Sequence, residues 1–225
     1  MDYTRTHGWS RNMDKAAFFD DSHKDDWAFR DYTREEHGKL NRYIKLAGVH
    51  EGQKILEPGC GTGRLTQKLA GWVGPEGEVA AVDISSKMIQ ECRKRCGLFP
   101  NVRILQGDVQ YYDFPPGCFD IIFCLCVFPH FDDKPAILRR FKNLLQPEGA
   151  LVIAHMEGSR SLNAMHRKVG GAVKRDRIPP FPEVEKMFHE SGFRIDDFWD
   201  RDDGYYLLAH FRDAARREPT VVGCG

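Results

Sequence analysis

From about residue 52 the chain switches repeatedly between two hydrophobic periods. Short apolar runs at residues 54–56, 79–82, 102–106, 119–126 and 150–154 read as strands. Amphipathic stretches at residues 62–72, 86–95 and 135–145 read as helices between them. The run Phe119-Asp120-Ile121-Ile122-Phe123-Cys124-Leu125-Cys126 is almost continuously apolar, as a central parallel strand covered on both faces should be. This alternation predicts a parallel sheet with helices on both sides. Towards the end the pattern changes. A helix with a basic face is expected over 161–173, weakened by Gly170-Gly171, then an extended stretch over 177–182 and a helix over 183–191 stopped by Gly192. Residues 193–199 and 205–211 flank Asp202-Asp203-Gly204 and predict an antiparallel hairpin that closes the sheet. Before the first strand, Leu40, Tyr43, Ile44 and Ala47 mark an amphipathic helix over 35–47 ended by Gly48. The rest of residues 1–50 is polar with interspersed aromatics: Trp9, Phe18, Phe19, Trp27, Phe29 and Tyr32. From Arg212 the chain is polar, and a frayed tail is expected.

Candidate chemistry concentrates where the predicted strands end. Glu57-Pro58-Gly59-Cys60-Gly61-Thr62-Gly63 joins the first strand to a helix. Its alternate glycines permit positive φ and close approach of a ligand, and the helix start behind them presents unpaired N–H groups. A dinucleotide fingerprint needs a third glycine where Arg64 stands, so a pyrophosphate reader is a poor match. Glu57, Asp83 and Asp108 each close a strand, about one strand–helix unit apart, and should line one crevice beyond the strands' carboxyl ends. An acid closing the second strand suits two ribose hydroxyls, which assigns Asp83. Asp108 suits an exocyclic adenine amine, with Val109 against the ring.

The spacing Glu57-x-Gly59-x-Gly61-x-Gly63 resembles the first motif of the class I methyltransferases that use S-adenosylmethionine. Val82-Asp83-Ile84-Ser85, Gly107-Asp108-Val109, Phe119-Asp120-Ile121-Ile122 and Leu144-Leu145-Gln146-Pro147-Glu148-Gly149 resemble later motifs in family order, over roughly residues 50 to 155. Glu148 departs from the pattern, where glycine is usual; on an exposed turn this is expected to matter little. The resemblance implies a three-layer Rossmann-like α/β sandwich, with a seven-stranded, mostly parallel sheet and a C-terminal antiparallel hairpin. It implies S-adenosylmethionine as cofactor, contacted by Glu57, Gly59, Cys60, Gly61, Gly63, Asp83, Ile84, Met88, Asp108, Val109 and Cys124. It also implies that the aromatic segment from Phe18 to Tyr32 folds over the cofactor as a lid; a flexible tail with docked aromatics is the other reading. The domain plan is then a lid segment over residues 1–50, a methyltransferase domain over 51–212 and a tail over 213–225.

Composition narrows the partners. Thirty-three basic residues balance thirty-three acidic ones, so no global field recruits nucleic acid or an anionic membrane. No apolar run approaches the roughly 20 residues that span a bilayer, and the first residues lack a signal peptide's apolar core. The seven cysteines show no Cys-x-x-Cys spacing and read as small buried hydrophobes in a reducing compartment. A cytoplasmic enzyme acting on a small-molecule acceptor is the expectation, with no nucleic acid or membrane partner.

The sulfonium methyl is already activated, so alignment supplies most of the catalysis, and a base is needed only for an acceptor that carries a proton. His130, just beyond the fourth strand, is a candidate base or packing residue. His155 closes the fifth strand, and Asn163 and His166 share one face of the following helix. His155, His166 and His130 are therefore the candidate catalytic residues, for acid–base work or acceptor contact. A metal held by His155, His166 and Asp176 or Glu157 is a weaker alternative, because their spacing matches no compact ligand motif. Two other readings remain: a non-catalytic S-adenosylmethionine-binding partner or sensor, and an NAD-dependent oxidoreductase. The second is disfavoured by Arg64 and by the lack of a Tyr-x-x-x-Lys pair.

Overall fold

The structure, a computed structural model, describes residues 14–22 and 25–211. The expectations for Trp9, for the Trp27 side chain and for the tail lie outside the described residues. The described residues open with α1 (residues 14–22), α2 (Asp26–Phe29) and α3 (Arg34–Leu46). There follow β1 (Lys54–Pro58), α4 (Arg64–Val73), β2 (Glu78–Asp83), α5 (Ser86–Cys96), β3 (Val102–Gln106) and β4 (Phe119–Leu125). Then come α6 (Lys134–Leu144), β5 (Leu145–His155), α7 (Ser159–Val169), α8 (Phe181–Glu190), β6 (Phe193–Arg201) and β7 (Gly204–Phe211). One seven-stranded sheet runs β3-β2-β1-β4-β5-β7-β6, with β7 antiparallel to both β5 and β6. The strand order reverses between β1 and β4, which opens the crevice at their carboxyl ends.

Side chains alternate across the sheet with period two. Ile55, Val79, Ile121, Phe123 and Val152 pack under α3 and α4, against Leu40, Tyr43, Ile44, Leu65 and Leu69. Leu56, Ile122, Cys124, Leu151 and Ile153 face the other way, against Ile137, Leu138 and Phe141 of α6 and Val184 and Phe188 of α8. Ile89, Cys92 and Cys96 of α5 pack beside Cys60 and Ala81 on the α4 side. Leu40, Tyr43 and Ile44 are wholly buried, so α3 belongs to this packed unit, and the boundary placed at residue 50 cuts through it. A capping box of Thr33 and Glu36 starts α3, and Arg30 grips the Glu36 carboxylate with two bonds of 2.7 Å.

Three expectations need revision. The helix expected over 161–173 ends at Val169; Gly170 and Gly171 take positive φ, and a 3-10 turn, Gly171–Val173, follows. The fifth strand is longer than 150–154, because it leaves α6 directly and pairs Leu145 with Phe119. Glu148 is exposed but adopts φ 65°, a left-handed conformation that favours glycine, so the departure from the motif carries strain. Glu148→Gly is therefore expected to stabilise the fold by about 0.5–1 kcal/mol, raising Tm by about 1–4 °C for a chain of this size. An unchanged or lower Tm in a thermal melt would show that its charge beside Arg194 outweighs the strain.

Candidate functional site

The crevice floor is the glycine turn after β1. Gly59, Gly61 and Gly63 have φ of 67°, 54° and 83°. A Cβ on Gly59 would stand 2.4 Å from Val127 Cγ2, and one on Gly63 would stand 2.8 Å from Cys92 Sγ. A Cβ on Gly61 would meet nothing within 4 Å, so that backbone borders open space. Asp83 fixes the turn from the next strand: Gly61 N–H donates to its Oδ2 and Ser85 N–H to its Oδ1, both at 2.8 Å. Burial pushes the Asp83 carboxyl up to about 6 against the pull of these two bonds. Glu57 is 2% exposed, its Oε2 has no hydrogen-bond partner, and burial raises its carboxyl to about 8.

The remaining expected cofactor residues divide. Ile84 is half-buried beside Asp83. Met88 is buried on α5, its N–H capped by Ser85 Oγ at 3.1 Å. Asp108 accepts Gln110 N–H at 2.9 Å, and Val109 is buried next to it. Cys60 is nearly buried, in contact with Cys92 and Cys96 behind the turn. Cys124 does not face the crevice: strand alternation sends it into the core under α6 and α8, with no exposed surface. Two residues later Cys126 is exposed, at φ 56°, close to Tyr32, Tyr43 and Arg64. A non-glycine residue held at positive φ beside a crevice marks a place where the fold tolerates strain; nothing in the run 119–126 signals it.

The histidines gather beyond β4 and β5. His130 Nδ1 is 2.7 Å from Asp176 Oδ2, and its ring centre is 5.1 Å from that of His166. His166 Nδ1 is 2.9 Å from the Asp176 carbonyl oxygen, so that nitrogen carries the proton and donates. Burial works to raise the Asp176 carboxyl, but His130 and Lys15 together hold it below the ordinary range. His155 is 1% exposed with neither ring nitrogen hydrogen-bonded, and burial pushes it down to about 3, which keeps the imidazole neutral. Asn163 is occupied elsewhere: its amide bonds the Ile178 backbone in both directions at 2.9 Å and fixes the loop before α8. Glu157 is exposed and accepts Ser161 Oγ. Among the described residues no group of three or more His, Cys, Asp or Glu is placed to hold a metal ion.

The N-terminal elements cross this crevice. Thr62 Oγ1 donates to the Ala28 carbonyl at 2.6 Å, and the Arg64 guanidinium lies 4.3 Å over the Tyr32 ring. Arg95 pairs with Asp31 at 2.6 Å. On α1, Asp20 accepts from Ser85 Oγ at 2.6 Å and from Lys87 N–H at 3.0 Å, at the start of α5. Five residues earlier, Lys15 donates to the His130 carbonyl at 2.5 Å and to Asp132 at 2.8 Å. Phe19 sets its ring edge-on to His130 at 5.1 Å. Five helical residues span about 7.5 Å, enough to join the Asp83 side of the crevice to the Asp176 side. The Lys15 and Asp20 contacts have no counterpart among the sequence expectations.

Known proteins share this fold. A family model described as a methyltransferase domain matches residues 49–208. The ubiquinone/menaquinone biosynthesis C-methyltransferase UbiE of Shewanella sp. (strain ANA-3) is 32% identical over 152 residues, covering 66% of this chain and 60% of that protein. Its namesake from Ectopseudomonas mendocina (strain ymp) is 35% identical over 129 residues, covering 56% of this chain and 50% of that protein. The chain thus spans less than two thirds of the length of the curated relatives it matches. A solved SAM-dependent methyltransferase from Aquifex aeolicus superposes with a TM-score of 0.64 at 20% identity, over 77% of this chain and 89% of its own. Fold, glycine turn and family match together make this chain a member of the class I S-adenosylmethionine-dependent methyltransferase family.

Proposed function

We propose that this chain transfers the methyl group of S-adenosylmethionine to a small-molecule acceptor, with α1 and α2 as a lid over the crevice. The observation that carries the proposal is the bridge made by α1. It links a glycine turn held by Asp83 to a His130–Asp176 pair that can take a proton. Asp83 holds the ribose, Gly59, Gly61 and Gly63 pass beneath the sugar and amino acid, and Ile84, Met88, Asp108 and Val109 enclose the adenine. Glu57 meets the amino acid end. Asp176 is ionised, so His130 donates from Nδ1 and carries its lone pair on Nε2, the form required of a general base. His166 steadies Asp176 through its backbone, and neutral His155 backs the pair. The curated relatives are named for C-methylation in ubiquinone and menaquinone biosynthesis. An aromatic hydroxyl compound is accordingly the first acceptor to try: loss of its O–H proton to His130 would raise the nucleophilicity of the ring before methyl transfer.

Calorimetry with S-adenosylhomocysteine, followed by labelled-methyl transfer to an acceptor series, tests the assignment. Saturable binding and labelled product are expected; binding without product from any acceptor would favour a cofactor-binding partner or sensor. Glu57 adds a pH signature. Free Glu57 stays protonated up to about pH 8, whereas the cofactor's ammonium favours the carboxylate, so binding expels a proton. Affinity is expected to rise with pH up to about 8, by a factor approaching tenfold per unit, and in Glu57→Gln the slope should vanish between about pH 6, where Asp83 ionises, and pH 8. A flat profile in the unaltered chain would remove Glu57 from the amino acid end.

A further inference from the structure

Lys15 is 4% exposed, and a buried ammonium is costly unless it is paired and hydrogen-bonded. Its partners among the described residues lie across the crevice. It donates to the His130 carbonyl and to Asp132 Oδ1, and its Nζ stands 3.2 Å from Asp176 Oδ1. Asp176 is thereby shared between two groups. One oxygen faces Lys15, while the other accepts from His130 Nδ1.

We propose that Lys15 is a positioning residue that completes the His130–Asp176 pair from α1, so that the acid–base group is assembled only when this helix is seated. The inference rests on the methyltransferase reading of the crevice. An ammonium beside Asp176 Oδ1 holds that carboxylate ionised and fixed in direction. The fixed carboxylate in turn keeps the His130 proton on Nδ1 and the lone pair on Nε2. Because Asp20 of the same helix is bonded at the start of α5, seating at the cofactor side and assembly at the acceptor side are one event. The need for a seated α1 therefore keeps the base from forming in an open, wet crevice.

The charged and titratable groups around His130 come from every element packed there. Asp176 lies before α8, His166 on α7, His155 at the end of β5, Lys134 on α6, Asp132 before α6 and Lys15 on α1. Burial lowers His130 most, Asp176 opposes this, and His166 and Lys15 add to the lowering. Removing the Lys15 charge alone raises the His130 midpoint, whereas releasing Asp176 from its bond to Nδ1 lowers it, so the ring tautomer is the reading that reports positioning. The test records the His130 ring-nitrogen shifts from pH 4 to 9 in the full chain with S-adenosylhomocysteine present, for the unaltered protein, Lys15→Met and Lys15→Arg. The unaltered protein and Lys15→Arg are expected to keep the proton of the neutral ring on Nδ1, and Lys15→Met to show a mixture of the Nδ1–H and Nε2–H forms. A neutral ring that stays wholly in the Nδ1–H form in Lys15→Met overturns the proposal, as does an equal loss of that form in both variants. Faster proteolysis within residues 14–22 of Lys15→Met, with the tautomer unchanged, would assign the lysine to anchoring alone and also overturn it. If S-adenosylhomocysteine does not bind the unaltered chain, the methyltransferase reading fails instead, while the comparison can still be read in the ligand-free chain.

Discussion

Replacing Asp83 by alanine is expected to weaken S-adenosylhomocysteine binding by about 2–4 kcal/mol, roughly 30- to 1,000-fold. Two separate losses make the effect large. The carboxylate is the proposed acceptor for the ribose hydroxyls, and bonds to a charged acceptor are each worth about 1.5–3 kcal/mol. It also ties the Gly61 and Ser85 N–H groups into one frame, so alanine frees the turn as well as the ligand. Asp83→Asn keeps the shape and one acceptor oxygen, and should fall between the two. Calorimetry alongside a thermal melt checks this result. Unaltered affinity in a folded variant would take Asp83 out of the site.

Gly59→Ala should destabilise the protein by about 2–5 kcal/mol and abolish measurable cofactor binding. The left-handed φ of 67° costs a side-chain-bearing residue about 1–2 kcal/mol. The added methyl meets Val127 Cγ2 at 2.4 Å and Val127 Cβ at 2.8 Å, an overpacking that costs about 1–3 kcal/mol. Val127→Ala removes the closer of these atoms. The double variant should therefore recover part of the loss, a coupling that strain at φ alone cannot produce. Chemical denaturation of the four proteins measures it; an additive cycle would show that Val127 moves aside freely.

The sheet and the cofactor turn were legible because their signals are local. Apolar runs, alternate glycines and an acid at each strand end lie within a few residues of one another, and strand–helix alternation orders them along the crevice. The acceptor side was only partly legible. The sequence singles out His130, His155 and His166, but the carboxylate that orients His130 is Asp176, which it offers only as a metal ligand. Asn163 shares a helix face with His166, yet its amide is committed to Ile178, a pairing that depends on how the loop before α8 closes. Cys124 was misplaced for lack of a face assignment: a buried parallel strand is apolar on both sides, so its composition does not show which residues look into the crevice. Lys15 meets His130 and Asp132, 115 and 117 positions away, and Asp176 further on still, and no local pattern in a polar N-terminal stretch marks such a contact.

The register shift in the last-placed strand has a consequence for solubility. Ile195 pairs with Ala209 and Asp197 with Leu208, so Asp196 is an extra residue on the outer edge, where its carboxylate binds Arg194 and His210. A bulge bends and twists the strand that carries it, and a charge cluster there must be dehydrated before another chain can hydrogen-bond alongside. The opposite edge is β3, five residues long, with Arg103 paired to Glu78 of its neighbour. A sheet that ends in a kinked, charged strand on one side and a five-residue strand carrying the Arg103–Glu78 pair on the other gives intermolecular β-pairing little template, so growth into aggregates is checked at both margins.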